Sequence, residues 1–235
     1  VTAVNDAPSL TDAGGTLAFT EGDAATMIDS TLTLSDADST NLASATVTIS
    51  GGYVSTEDVL AFSSQNGISG SWNGSTGVLT LTGSATKAHY ETALESVTYQ
   101  NSNTASPNTG NRTVTWVVND GSASSTGVTS TITVAGANDA PTDIAITSAS
   151  VNQSGGANAT VGTLSSTDAD TGDSFAYSLV AGTGDTNNAS FTISGSTLNA
   201  NNASNLAAGS YSVVWAVTSV DTHRSEGTFT FTVAP

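Results

Sequence analysis

Two short acidic motifs recur in step along this chain. Asn5-Asp6-Ala7-Pro8 is followed by Asp36-Ala37-Asp38, and Asn138-Asp139-Ala140-Pro141 is followed by Asp168-Ala169-Asp170. Asp6 to Asp36 is a step of 30 residues and Asp139 to Asp168 a step of 29, so one device is set down twice. In an extended segment, side chains two residues apart point the same way. Each Asp-Ala-Asp therefore aims two carboxylates at one point, where like charges repel by about 4 kcal/mol per pair near a surface. No Lys or Arg stands near them in sequence to neutralise them. A hard divalent cation relieves the repulsion, and calcium accepts roughly six to eight oxygens from carboxylates, Asn side chains, carbonyls and water. Magnesium asks for stricter octahedral geometry, and zinc asks for His or Cys, of which the chain has two and none. The sequence thus predicts Ca2+ as the cofactor.

Short strands must position these groups. Period-2 runs such as "TLAFTEG" (16–22), "STLTLSDAD" (30–38), "ASATVTISG" (43–51) and "DVLAF" (58–62) read as strands. "GSWNGSTGVLTLTG" (70–83) reads as a hairpin turning on "NGSTG". "RTVTWVVNDG" (112–121) and "GVTSTITVAG" (127–136) complete seven or eight strands before the second Asn-Asp-Ala-Pro. Only 86–96 breaks the period: Tyr90, Ala93, Leu94 and Val97 fit a helical stripe, and Thr86 caps its start. After the second linker, runs at 142–151, 159–170, 174–180, 190–200, 210–220 and 227–235 give six or seven more strands. Regular short strands without intervening helices predict an all-β chain of two tandem antiparallel β-sandwiches. The boundaries are 1–8 for a linker from a preceding unit, 9–137 for a long sandwich and 138–235 for a shorter one. Trp116 and Trp215 fall at matching places, as core anchors of the two units.

Composition narrows the functions. Three cations (Lys87, Arg112, Arg224) face twenty carboxylates, for a net charge of −17. Nucleic-acid binding needs Lys and Arg on phosphates, so it is excluded, and adhesion to anionic lipid is disfavoured. No apolar run approaches the roughly 20 residues needed to cross a membrane. Cysteine is absent, so neither disulfides nor thiolate metal sites are available. No secretory leader opens the sequence, and its first eight residues repeat the linker, so a piece of a longer protein is expected.

The linker, the Asp-Ala-Asp loop and the sandwich pattern together resemble the cadherin-like (Ig-like) tandem repeats of giant bacterial RTX-type surface adhesins. Residues 142–235 resemble an ordinary repeat. Residues 9–137 resemble a longer variant, through "FTEGD", "LTLSDAD", "DVLAF", "NGISGSW" and "YETALESVTY". The resemblance implies calcium between consecutive domains. At the second junction it implies ligands Glu21 and Glu91 from the base of the first domain, Asn138 and Asp139 from the linker, and Asp168 and Asp170 from the top of the second. Asn5, Asp6, Asp36, Asp38 and Asp120 form the equivalent group at the amino-terminal end. Asp173 is an auxiliary ligand, and Asp221 substitutes for the aspartate that the pattern has where this chain has Ser219. Ala3 and Gly136 stand where the family linker often carries another aspartate, which removes a ligand from each junction.

The function so implied is a calcium-rigidified extender of a bacterial surface adhesin, supporting cell adhesion and biofilm formation. It is expected to be extracellular and monomeric, with neighbouring repeats as partners and host or matrix glycan or protein gripped through other domains. The alternative is a carbohydrate- or peptide-binding module, or the scaffold flanking one, with Tyr53, Trp72 and Tyr90 as an aromatic platform. No enzyme is expected: His89 and His223 lack a neighbouring nucleophile motif, and no glycine-rich phosphate loop precedes a helix.

Overall fold

The computed structural model describes residues 4–170, 172–220 and 222–235. They form two compact units that divide between Ala137 and Asn138.

The first unit opens with β1 (Ser9–Thr11), β2 (Thr16–Thr20), β3 (Thr26–Met27) and β4 (Thr33–Ser35). Then come β5 (Asn41–Gly51), β6 (Asp58–Ala61), β7 (Ser69–Asn73) and β8 (Val78–Thr86). Helix α1 (Lys87–Glu95) leads into β9 (Thr98–Asn101), β10 (Gly110–Asn119) and β11 (Val128–Ala135). One sheet has six strands in the order β2-β11-β10-β5-β8-β7; a second has the order β3-β9-β6, and β1 pairs with β4. Eleven strands exceed the seven or eight expected because the short β1, β3 and β9 lie outside the runs that read as strands. The chain changes sheets early: β1 pairs antiparallel with β4, and after Asp12 (φ 60°) and Gly14 (φ 142°) β2 pairs parallel with β11.

Alternation fills the core. Along β10, Arg112, Val114, Trp116 and Val118 face inward. Helix α1 forms where the helical stripe lies: Thr86 Oγ1 accepts from His89 N as the cap, and Tyr90, Ala93 and Leu94 are buried. Two buried carboxylates stitch the layers. Asp58 on β6 accepts from Arg112 Nε (2.9 Å), Tyr99 Oη (2.6 Å) and Val54 N (2.7 Å), joining the small sheet to β10. Asp29 accepts from Gly14 N, Gly15 N, Thr31 and Ser130 Oγ, pinning the place where the chain changes sheets.

The second unit comprises β12 (Asp143–Ile146), β13 (Ser150–Asn152), β14 (Ala157–Thr167) and β15 (Phe175–Leu179), then β16 (Phe191–Ser194), β17 (Thr197–Asn202), β18 (Gly209–Ser219) and β19 (Arg224–Ala234). Its sheets run β12-β14-β17-β16 and β13-β19-β18-β15. The expected single strand at 142–151 is two: Thr147 N still bonds Thr163 O, while Thr232 N reaches back to Ala149 O in the other sheet. Parallel pairing of β13 with β19 repeats that of β2 with β11.

Trp116 and Trp215 are both buried, yet differently served. Trp116 Nε1 donates to Ser130 Oγ (2.9 Å), whereas Trp215 Nε1 has no hydrogen-bond partner and rests on Gly227. A Cβ at Gly227 would lie 2.4 Å from Trp215 Cζ2. Gly227→Ala is therefore expected to destabilise the second unit by about 1–3 kcal/mol, read by urea melts of intrinsic Trp fluorescence.

Candidate metal centre

At the leading end of the first unit the structure gathers residues up to 115 positions apart. Asn5 Nδ2 donates to Asp6 O (2.9 Å) and to Asp120 Oδ2 (2.8 Å), and Asp6 N donates to Asp38 Oδ2 (3.2 Å). Asp36 Oδ1 accepts from Asp38 N and Ser39 N, which holds its carboxyl below the usual range. Asp120 is lowered likewise, first by Ala123 N, then by Asn5 and Ser122 N. A cation distant in sequence does reach this cluster. Lys87, 51 residues away at the start of α1, places Nζ 2.7 Å from Asp36 O.

The leading end of the second unit repeats the arrangement. Asn138 Nδ2 donates to Asp139 O (2.8 Å), Asp139 N to Asp170 Oδ2 (2.7 Å), and Asp170 N to Asp168 Oδ1 (3.1 Å). One partner changes. Where Asn5 meets the carboxylate of Asp120, Asn138 Nδ2 meets Nδ1 of His223, which also lies 3.1 Å from Asp139 O. His223 was not among the expected ligands. The signal for it was positional: it sits in the β18–β19 turn, as Asp120 sits in the β10–β11 turn. Asp221 lies outside the described residues, and Asp173 is half-buried before β15.

Several oxygens in these groups are buried without a hydrogen-bond partner: Asp36 Oδ2, Asp139 Oδ2, Asp168 Oδ2 and Glu21 Oε1. Glu21 is buried at the trailing end of the first unit, where its Oε2 accepts from Ala137 N (3.0 Å). Glu91, expected beside Glu21, instead accepts from Leu34 N (2.9 Å) on β4, the strand that leads to Asp36. Among the described residues, no three His, Asp or Glu side chains already converge tightly enough to hold an ion.

The aromatic platform does not form. Tyr90 is fully buried, its hydroxyl on Gly83 O, and the half-buried Trp72 packs edge-on against Tyr53 and onto the core.

A family model for the CopC domain matches residues 79–234, more than half of the sequence. The chain belongs to the CopC domain family. The match runs from β8 to β19 and so takes in part of the first unit and nearly all of the second. No curated protein matches the chain. Among solved structures, Drosophila N-cadherin EC1-4 is similar over 98% of this chain and 49% of its own, at 14% identity and a TM-score of 0.51. Human protocadherin-24 EC1-2 is similar over 98% and 99%, at 14% identity and a TM-score of 0.48. Protocadherin gamma B7 domains 1-4 is similar over 98% and 51%, at 15% identity and a TM-score of 0.46. The chain thus spans about half the length of the first of these relatives. The likeness to N-cadherin establishes a cadherin-like β-sandwich fold and nothing further.

Membership in the CopC family overturns two expectations. CopC domains bind copper, so Ca2+ is not the cofactor the family implies. The calcium-rigidified adhesin extender falls with it, and the ligand-binding alternative fits no better. The sequence reading counted carboxylates alone, whereas the structure sets the imidazole of His223 against Asp139 O in the linker. An all-oxygen set selects a hard ion, whereas one nitrogen donor shifts the preference toward later transition metals.

Proposed function

We propose that this chain is an extracytoplasmic copper(II)-binding module whose metal is held at the leading end of the second unit. The observation that carries this reading is His223: an imidazole stands where the first unit has a carboxylate, against Asn138 and the backbone oxygen of Asp139, on the linker whose N–H holds Asp170. Copper(II) takes nitrogen and oxygen donors in tetragonal arrangements, and His223 with Asp139, Asp168 and Asp170 is a donor set of that kind. Copper(I) fits poorly, because it favours thiolates and thioethers. The chain has no cysteine, and its single methionine, Met27, lies on β3 outside the matched span. A bound ion would supply positive charge to a carboxylate cluster that has no Lys or Arg bonded to it among the described contacts. The protein's own residues orient that cluster: Asp139 N fixes Asp170, and Asp170 N fixes Asp168. The role is carriage or storage rather than catalysis, with the chain acting as a monomer and without nucleic acid.

Titrating the 235-residue chain with Cu(II), followed by electron paramagnetic resonance, should give one nitrogen-coupled signal. His223→Ala should weaken uptake about 10–100-fold, while His89→Ala, on the exposed face of α1, should leave it unchanged. Equal uptake in wild type and His223→Ala would refute the assignment.

A further inference from the structure

We propose that Asn73 is a self-modifying site, at which the side-chain amide closes on Gly74 N, loses ammonia and leaves aspartate or isoaspartate in the β7–β8 turn. Asn-Gly occurs twice in the chain, at 66–67 and 73–74. In both, glycine leaves the attacking nitrogen unshielded by a Cβ. Neither Gly67 N nor Gly74 N donates a hydrogen bond among the described contacts. The two dipeptides therefore differ chiefly in how the fold holds them. Closure needs the nitrogen on the same side of the Cα–C bond as the Asn Cβ. Asn66 is left-handed, with φ 52°. The ψ that goes with it, about +47°, sets Gly67 N opposite Cβ, as far from the amide as that bond allows. Two backbone bonds hold this turn shut, Gln65 N to Ile68 O (3.1 Å) and Ile68 N to Gln65 O (2.8 Å).

Asn73 is the exposed last residue of β7, and its extended backbone brings Gly74 N round beside the side chain. Asn73 Oδ1 accepts from Ser75 N (3.0 Å), which folds the amide over Gly74 N. The same N–H points at the oxygen on which negative charge develops during attack, as an oxyanion-hole donor does. Gly74 N gives up its proton to solvent and bonds to Cγ; the Cγ–Nδ2 bond breaks, and the leaving nitrogen takes a proton to depart as ammonia. Water then opens the five-membered imide. Opening at the side-chain carbonyl gives aspartate, and opening at the main-chain carbonyl carries the chain through Cβ as isoaspartate. Nothing is oxidised or reduced, and the chain gains one negative charge. Isoaspartate also lengthens the main chain by a methylene beside Trp72 and shifts Gly74, whose carbonyl holds Tyr53 Oη. The edge-on packing of Tyr53 on Trp72 then loosens as the protein ages.

Ageing the folded, metal-free full chain at mildly alkaline pH, followed by peptide mapping with mass spectrometry, tests this. The mass gain of an amide turned to an acid should appear at residue 73 about tenfold faster than at residue 66, an exposed donor being worth less than the roughly 100–1,000-fold of an enclosed one. In urea, where both turns are lost, the two positions should gain at equal rates. Equal rates in the folded chain, a faster Asn66 or no gain at residue 73 overturns the assignment. A tenfold preference that persists in urea overturns the fold as its cause.

Discussion

Asp58→Ala is expected to destabilise the first unit by about 3–5 kcal/mol, lowering its melting temperature by roughly 10–20 °C. The carboxylate and its Arg112 partner are both essentially inaccessible, at side-chain exposures of 0% and 2%. Removing Asp58 strands a guanidinium whose remaining contacts are two carbonyls, Asn108 O and Gly110 O. It also leaves Tyr99 Oη and Val54 N without their acceptor. A buried charge without its counter-ion is worth far more in loss than the intact pair contributes in gain. The double variant Asp58→Ala with Arg112→Met should therefore recover part of the loss. Additive effects of the two single changes, measured by urea unfolding, would show that the pair is not coupled. Hydrogen exchange should accelerate in β6, β9 and β10, the strands this cluster joins, and not in β14 or β17.

Asp29→Ala should be comparably damaging, because it orphans backbone N–H groups at Gly14 and Gly15 together with Thr31 and Ser130. Each buried donor left without a partner costs about 1–3 kcal/mol. Asp29 also gives the first unit an acid-sensitive component. Burial pushes its carboxyl up, but hydrogen bonds from Ser130, Thr31 and Gly15 outweigh burial and hold it below the ordinary value of 3.8. A carboxyl lowered in the folded state stabilises fully above its unfolded value. That contribution fades as pH falls through the native value. Unfolding free energies measured from pH 6 down to pH 2 should thus fall below about pH 4 in the wild type. In Asp29→Asn that fall should be shallower, on a lower starting stability. Parallel curves for the two proteins would remove Asp29 from the acid response.

Local pattern made much of this legible. The 70–83 hairpin appears as β7 and β8, the helical stripe at 86–96 as α1, and the inward series of β10 follows its alternation. The doubled Asn-Asp-Ala-Pro and Asp-Ala-Asp spacing located two clusters that the fold does assemble. What stayed hidden depends on partners far away in sequence. Period-2 alternation continues across a change of sheet, so 142–151 reads as one strand although β12 and β13 have different neighbours. Arg112 at an inward position makes sense only with Asp58, 54 residues earlier. Lys87 reaches Asp36 across 51 residues, and His223 reaches Asp139 across 84.

The parallel pairing of β2 with β11, and of β13 with β19, governs how each unit responds to being pulled by its ends. The earlier strand of each pair in sequence leads in from the amino-terminal side and its partner leads out toward the carboxyl-terminal side. Tension then runs along both strands in opposite senses, and the rungs between them are sheared side by side instead of being unzipped one at a time. Rupture under force is set by the rate of that collective step rather than by equilibrium stability, so each sandwich should resist stretching more than its modest size suggests.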